Sequence, residues 1–234
     1  MGVNTFTYNG TTSSTYGIFI EHRPVMTFPK RVIESISVPG RSGNLLFDTG
    51  AYENVTLTYQ VAYRGSVRPT GVDIATWLYQ NDYLDLTDTY EPTYFRKAVY
   101  VSPLNVTDII NVAGRAAITF DCKPQRYLLS GQTVLSPTKG SSISNAYQPS
   151  LPVITISGSG NGTVTIGNTT VTITGQTAAI VLDSERQTAE SGGSNANSLI
   201  SLSNGFPVLE HGSTTVTWTG GVSSISVVPN WWTL

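Results

Sequence analysis

The chain has 234 residues, a formal net charge of −2 and a single cysteine, Cys122. This length fits one large domain or two small ones, and one cysteine excludes both an intramolecular disulfide and a cysteine-rich zinc site. A charge near zero does not favour nucleic acid or anionic membranes as partners. No apolar run approaches the roughly 18 residues of a membrane span, and the first residues lack a basic and apolar leader. We therefore expect no membrane insertion and no secretion signal.

The distribution of charge predicts two domains. Residues 1–130 hold 11 of the 13 Lys and Arg residues and 11 of the 15 Asp and Glu residues, whereas the rest is rich in Ser, Thr, Gly and Asn. Several prolines and glycines between residues 130 and 152 are typical of a linker or crossover. The predicted domains are residues 1–135 and 136–234. The sequence does not decide whether the residues after Pro229 return to pack on the first domain.

The first domain is predicted to consist mainly of β-strands with one short helix. Apolar residues alternate with polar ones in several runs, which is the period of half-buried strands. Asn9-Gly10 and Pro39-Gly40 are suited to tight turns. The predicted strands cover residues 6–8, 16–20, 32–38, 54–63, 96–101 and 115–121, and the predicted helix covers Val72–Gln80 because Ile74, Trp77 and Leu78 share one face. Cys122 alternates with Phe120 and is expected in the core.

The second domain is predicted to be a β-sandwich. Gly167-Asn168 and Gly220-Gly221 each separate two alternating apolar runs, which favours two hairpins. The run Ala178–Leu182 is predicted to be a strand that is buried on both faces. The glycine-rich stretch Gly158–Gly162 is predicted to be a loop, because no Lys-Ser/Thr and no helix follow it as a phosphate-binding loop requires.

Asp48-Thr49-Gly50, after Leu45-Leu46-Phe47, resembles the catalytic loop of a retroviral-type aspartic protease. Such an enzyme needs a second carboxylate within about 3 Å, which a dimer of this chain would supply. The alternative is a turn at the end of a short strand, since Asp and Gly are turn residues. A three-residue match is weak by itself, so the turn is preferred and no catalytic residue is expected.

Two further groups of residues are candidate binding sites. The acidic residues around the end of the predicted helix suggest calcium, but the regular calcium-loop spacing is absent, and a solvated loop is preferred, with no metal or cofactor expected. These residues are Asp82, Asp85, Asp88 and Glu91. Four aromatic residues of the second domain suggest a sugar-stacking surface, but protein packing or an interface is preferred. They are Tyr147, Trp218, Trp231 and Trp232.

Segments spread over the whole chain resemble the distal tail protein (Dit) family of phages with long, non-contractile tails, in its short two-domain form. The most recognisable are Val38-Pro39-Gly40-Arg41-Ser42-Gly43 and Gly50-Ala51-Tyr52-Glu53. Others are similar to the start of that family, the end of its first domain and its second domain. They are Phe6–Gly10, Gly114–Pro124, Pro152–Ile156, Ile180–Glu185 and Phe206–Leu209.

The resemblance implies a tail-tube-like β-sandwich or barrel domain, followed by a galectin-like or carbohydrate-module-like β-sandwich. It implies a homo-hexameric ring at the tail tip of the virion, with the tail tube protein above and the tail-associated lysin or fibre protein below. DNA would pass through the lumen without specific binding, and receptor-binding proteins are further candidate partners. It implies no catalysis. The first alternative function is a carbohydrate-binding module, and the second is the protease that uses Asp48.

A closed ring needs a head-to-tail interface on every copy, and long hairpins supply such contacts through added backbone hydrogen bonds. The sequence points to the hairpin between residues 32 and 61. The expected oligomer interface consists of Val38, Pro39, Gly40, Arg41, Leu45, Phe47, Tyr52 and Glu53.

Overall fold

The structure is a computed structural model that describes residues 3–64, 67–103, 106–110 and 113–234, with only the backbone described at 67–70 and 106–110. It divides into two compact units, residues 1–126 with Leu234, and Tyr127–Thr233. The division lies inside a long strand, before residue 135, where the sequence predicts the domain boundary. Both units are built mainly from antiparallel strands, so the prediction of a mainly β protein with β-sandwich architecture is confirmed.

Unit 1 contains ten strands and the one α-helix of the described residues. The strands are β1 (Phe6–Tyr8), β2 (Thr11–Thr12), β3 (Ile18–Ile20), β4 (Arg31–Ile36), β5 (Leu45–Tyr52), β6 (Val55–Arg64), β7 (Leu84–Asp88), β8 (Tyr94–Tyr100), β9 (Val106–Ile110) and β10 (Ala113–Leu128), and the helix is α1 (Val67–Leu78). The main sheet has the order β2-β1-β7-β8-β10-β6-β3, with β9 paired to β10. β4 and β5 form a separate two-stranded sheet. The predicted turn at Asn9-Gly10 joins β1 to β2, with both residues at positive φ.

The core of unit 1 is aromatic. The ring of Phe6 stacks on those of Tyr59, at 4.9 Å between centroids, and Trp77, at 5.6 Å. Trp77 belongs to α1 and donates its indole N–H to the Tyr8 carbonyl at 2.9 Å, which fixes the helix over the sheet. Cys122 is fully buried in this core, as predicted, and burial raises the pKa of its thiol to about 12.

The helix differs from its prediction at both ends. It begins at Val67 instead of Val72, because Pro69 is in the first turn, where its missing N–H costs no hydrogen bond. It ends at Leu78 instead of Gln80. The Gln80 side chain donates to the carbonyls of Thr76 and Trp77, at 2.9 and 3.2 Å, and so satisfies acceptors that the last turn leaves free.

Unit 2 contains nine further strands. They are β11 (Ser142–Asn145), β12 (Val153–Ile166), β13 (Thr169–Gln176), β14 (Ile180–Asp183), β15 (Thr188–Ser191), β16 (Ser194–Asn195), β17 (Ile200–Leu202), β18 (Gly212–Val228) and β19 (Trp232–Thr233). β12 and β18 pair along most of their length. The first part of β12 also pairs with β14 and its second part with β13. The predicted hairpin at Gly167-Asn168 is confirmed as the β12–β13 connection.

The predicted hairpin at Gly220-Gly221 is wrong, as is the predicted loop at Gly158–Gly162. Both stretches lie inside the continuous strands β18 and β12, where the pairing register shifts. A Cβ atom at Gly221 would collide with the carbonyl oxygen of Ser159, and one at Gly158 with that of Gly221. The glycines therefore allow two backbones to approach at a bulge, which bends the ribbon without ending it.

The strand predicted at Ala178–Leu182 is shorter and is not buried on both faces. β14 begins at Ile180, and only Ile180 and Leu182 are buried, with Val181 between them half-exposed. The residues directly after β10 pack within unit 2. The N–H of Leu128 donates to the Trp231 carbonyl at 2.9 Å, and Leu135 and Val227 exchange backbone hydrogen bonds at 2.8 Å.

Candidate oligomer interface

The β4–β5 hairpin is an exposed arm of unit 1. Almost all of its residues are exposed to solvent, and no other described strand joins its sheet. The register places Ile36 opposite Leu45 and Glu34 opposite Phe47. An isolated two-stranded hairpin is at best marginally stable in water. This arm therefore needs stabilising contacts within the hairpin or a binding partner.

The turn of the hairpin is fixed by its sequence. Arg41 donates its N–H to the Val38 carbonyl at 3.2 Å, which closes a β-turn with Pro39 and Gly40 at its centre. Gly40 has a φ of +82°, the conformation that a type II turn requires at its third residue and that favours glycine. The predicted Pro39-Gly40 turn is therefore present.

Asp48-Thr49-Gly50 forms a bulge near the base of the hairpin. The register jumps from Ile33↔Asp48 to Arg31↔Tyr52, so three residues of β5 face one residue of β4. One carboxylate oxygen of Asp48 accepts from the Gly50 N–H at 3.0 Å, and the other contacts the Arg31 guanidinium. Thr49 donates its hydroxyl to the Val32 carbonyl at 2.8 Å. The side chains of Asp48 and Thr49 and the backbone of Gly50 thus shape the hairpin, and both carboxylate oxygens of Asp48 are engaged.

The base of the hairpin is closed by a pair of residues that flank it. Lys30 and Glu53 exchange a salt bridge of 3.0 Å, and the Glu53 N–H donates to the Lys30 carbonyl at 2.8 Å. Tyr52, the last residue of β5, is half-buried. Polar contacts thus hold the two strands together at their base.

The two faces of the hairpin carry apolar side chains that meet solvent. Ile36, Leu45 and Phe47 share one face and are 47%, 46% and 57% exposed. Leu46, on the opposite face, is 66% exposed. Soluble monomers rarely expose a contiguous apolar patch of this kind, and such patches mark interaction sites. The hairpin is therefore the candidate interface.

All eight residues predicted for the interface lie on this hairpin or at its base, so the structure brings them onto one element. Sequence reasoning missed Ile33, Ile36 and Leu46 on the strands. It also missed the preceding segment, in which Val25, Met26 and Phe28 are exposed. The sequence feature that could have indicated this segment is the mainly apolar stretch between Pro24 and Pro29, which fits neither the strand nor the helix period.

The four aromatic residues of unit 2 do not form one open surface. Trp231 is only 8% exposed, and its backbone lies against Gly131. Trp232 is half-buried and donates its indole N–H to the Pro149 carbonyl at 2.9 Å. Trp218 is half-buried within β18, and Tyr147 is exposed. Trp231 and Trp232 thus contribute to the packing of unit 2.

A separate concave site in unit 2 has a volume of about 220 Å³. Asn168, Asn204, Phe206, Glu210 and Ser213 are among its lining residues. It contains none of the four aromatic residues. Its amide, carboxylate and hydroxyl groups are those that bind hydroxyl-bearing ligands by hydrogen bonds.

The acidic residues after α1 are engaged by protein groups. Asp85 pairs with Lys97 at 2.6 Å and Glu91 with Arg126 at 2.9 Å. Asp88 accepts the Tyr59 hydroxyl at 2.7 Å. Within the described ranges, no three His, Cys, Asp or Glu residues are grouped as a metal site requires. In that same part of the chain, no helix is long and apolar enough to cross a membrane.

Comparison with known proteins supports the fold. No family model matches the chain, and no curated protein sequence matches it. Among solved structures, the chain is similar to the SPP1 Dit (gp 19.1) protein, described as a paradigm of the hub adsorption apparatus in phages that infect Gram-positive bacteria. The TM-score is 0.76 over 97% of this chain and 98% of that one, with 13% sequence identity. The likeness covers both units and shows a shared fold.

Proposed function

We propose that this protein is the structural hub of a phage tail tip or baseplate, a component of the virion. The observation that carries the proposal is the exposed apolar hairpin of residues 31–52, in a chain whose fold is that of a phage hub protein. The sequence resemblance to distal tail proteins points the same way, since its most recognisable segments lie in this hairpin. Six copies form a ring, as the resemblance implies.

The hairpin explains how such a ring closes. Each copy offers one arm, and the arm of one copy docks on the body of the next, so the contact is head-to-tail and repeats until it closes. The docking buries the apolar residues of β4 and β5, and the eight predicted interface residues lie in the contact. A stable contact of this type buries more than about 1,000 Å².

The surface chemistry suits a DNA conduit. The net charge of −2 gives the ring no general attraction for the DNA backbone, so DNA passes through the lumen without specific binding. The partners are the tail tube protein above, the tail-associated lysin or fibre protein below, and receptor-binding proteins at the periphery. We propose no catalytic role, because both carboxylate oxygens of Asp48 are used within the hairpin.

The oligomeric state of the purified chain tests this function. Rings of about six copies in negative-stain images support the hub. A carbohydrate-binding module, the alternative that the polar concave site of unit 2 favours, would be a strict monomer that binds in a glycan array. Peptide cleavage at acid pH that is lost in Asp48→Asn would instead indicate the protease.

A further inference from the structure

Unit 1 buries a cluster of charged groups that the hub function does not use. Arg96 on β8 and Arg126 on β10 are each only 8% exposed. Arg126 donates to Glu91 at 2.9 Å and lies over the Tyr94 ring, 4.4 Å from its centroid. Asp88 accepts from the Tyr59 hydroxyl and from the backbone N–H groups of Tyr90 and Glu91. The two carboxylates of the cluster are therefore already bonded.

Two donors of this cluster have no acceptor. Arg96 Nη1 and Arg126 Nε are buried and donate to no group of the described chain. A buried donor left without a partner costs about 1–3 kcal/mol, and more when it is charged. Arg96 lines two cavities, of about 30 and 10 Å³, and both also touch Asp88 and Glu91. Arg96 therefore lies at the wall of two small cavities.

The charges around these cavities do not balance. Arg23, an exposed residue, lines the larger cavity and lies over the Tyr90 ring at 5.8 Å, so it adds a third cation beside Arg96 and Arg126. Asp88 and Glu91 match the two buried arginines in charge, and the excess positive charge is that of Arg23. Burial lowers the pKa of Arg96, but a guanidinium stays protonated at neutral pH.

We propose that the Arg96 cavity binds one small monovalent anion, a halide ion or a single carboxylate group, which accepts a hydrogen bond from Arg96 Nη1. A volume of about 30 Å³ holds one water-sized group and excludes a sugar or a nucleotide. The anion comes either from solution or from a carboxylate of a second copy that enters beside residues 23–27. The site itself is independent of the proposed function, and only the second source depends on ring formation.

Thermal unfolding of the full chain tests the site in solution. Sodium chloride, sodium formate and sodium methanesulfonate are compared at one ionic strength, so that general screening is constant. Chloride or formate at about ten times its Kd should raise the Tm by roughly 5 °C above that in the bulkier methanesulfonate. The difference should disappear in Arg96→Met. It should persist in Arg115→Met, a matched control whose arginine is 64% exposed and paired with Glu21.

A crystal of the wild-type chain soaked in bromide decides the result even where Arg96→Met does not fold. An anomalous peak within hydrogen-bonding distance of Arg96 Nη1 supports the site and assigns the anion to solution. A carboxylate of a second copy at that position supports it and assigns the anion to the assembly. A water molecule alone beside Nη1 overturns the proposal. An equal salt response in wild type, Arg96→Met and Arg115→Met also overturns it when no carboxylate of a second copy lies at Nη1.

Discussion

Replacing Leu45 and Phe47 together by Ser should weaken assembly without unfolding the subunit. The two side chains share a face of the hairpin and are 46% and 57% exposed in the chain. Full burial of a Leu or Phe side chain is worth about 1.5–3 kcal/mol, so covering the exposed half contributes about 1 kcal/mol each. The double variant should therefore lose about 2 kcal/mol per contact, which is about 30-fold in the dissociation constant of each contact.

Mass photometry across a dilution series measures this loss, and urea unfolding of the same samples measures the fold. The midpoint of assembly should move to higher concentration, while the unfolding free energy of the isolated subunit changes by only about 0.5 kcal/mol, since the two side chains contribute little to the core. The control is Val134→Ser with Leu151→Ser, two residues of unit 2 that are 58% and 40% exposed. Equal assembly of wild type and the hairpin variant, or equal weakening by the control pair, would refute the assignment of the hairpin as the interface.

Three further outcomes are expected. Gly40→Val places a branched residue at a φ of +82° and should destabilise the turn by about 1–2 kcal/mol; ring yield on size exclusion should fall while the Tm of unit 1 stays constant, and intact rings would show that the interface is elsewhere. Gly221→Ala forces β18 away from the Ser159 carbonyl and should lower the unfolding free energy of unit 2 by about 3 kcal/mol or more, whereas Gly175→Ala, with open space around it, should cost only about 1 kcal/mol of backbone strain; similar Tm values for the two variants would contradict the bulge argument. The folded pKa of Cys122 is raised to about 12 from an ordinary value of 9.0, so its contribution to stability is complete below pH 9 and is lost as pH rises from 9 towards 12; urea unfolding at pH 8 to 11 should show a shallower decline in Cys122→Ala, and identical slopes would argue against a buried thiol.

The turns that the sequence predicts correctly are those that a few neighbouring residues specify by themselves. Asn9-Gly10, Pro39-Gly40 and Gly167-Asn168 each specify a turn within a few residues, and each turn is present. The prediction at Gly220-Gly221 is wrong because the conformation of this pair depends on Gly158 and Ser159, on a strand far away in sequence. Two glycine-rich stretches at matching heights on paired strands form a bulge, and one of them alone looks like a turn.

The location of the candidate interface could be predicted from the sequence, but its exposure to solvent could not. The hairpin followed from the resemblance and from its Pro-Gly turn, and the eight named residues lie on it or at its base. The predicted extension to residue 61 is wrong, because the hairpin ends at Tyr52 and β6 belongs to the main sheet. Exposure could not be predicted, because a run such as Leu45-Leu46-Phe47 is typical of a buried strand, and only the structure places it in solvent. The cluster of Arg96 and Arg126 was also invisible, since β8 and β10 bring these residues together only in the folded sheet.

The mass and shape of the purified full chain in solution test whether it forms the hexameric ring of a hub. The subunit mass is 25.1 kDa, so a hexamer of about 150 kDa is expected, with rings and a central hole in negative-stain images. A chain that remains monomeric at all concentrations, and forms no rings, would contradict the proposed hub.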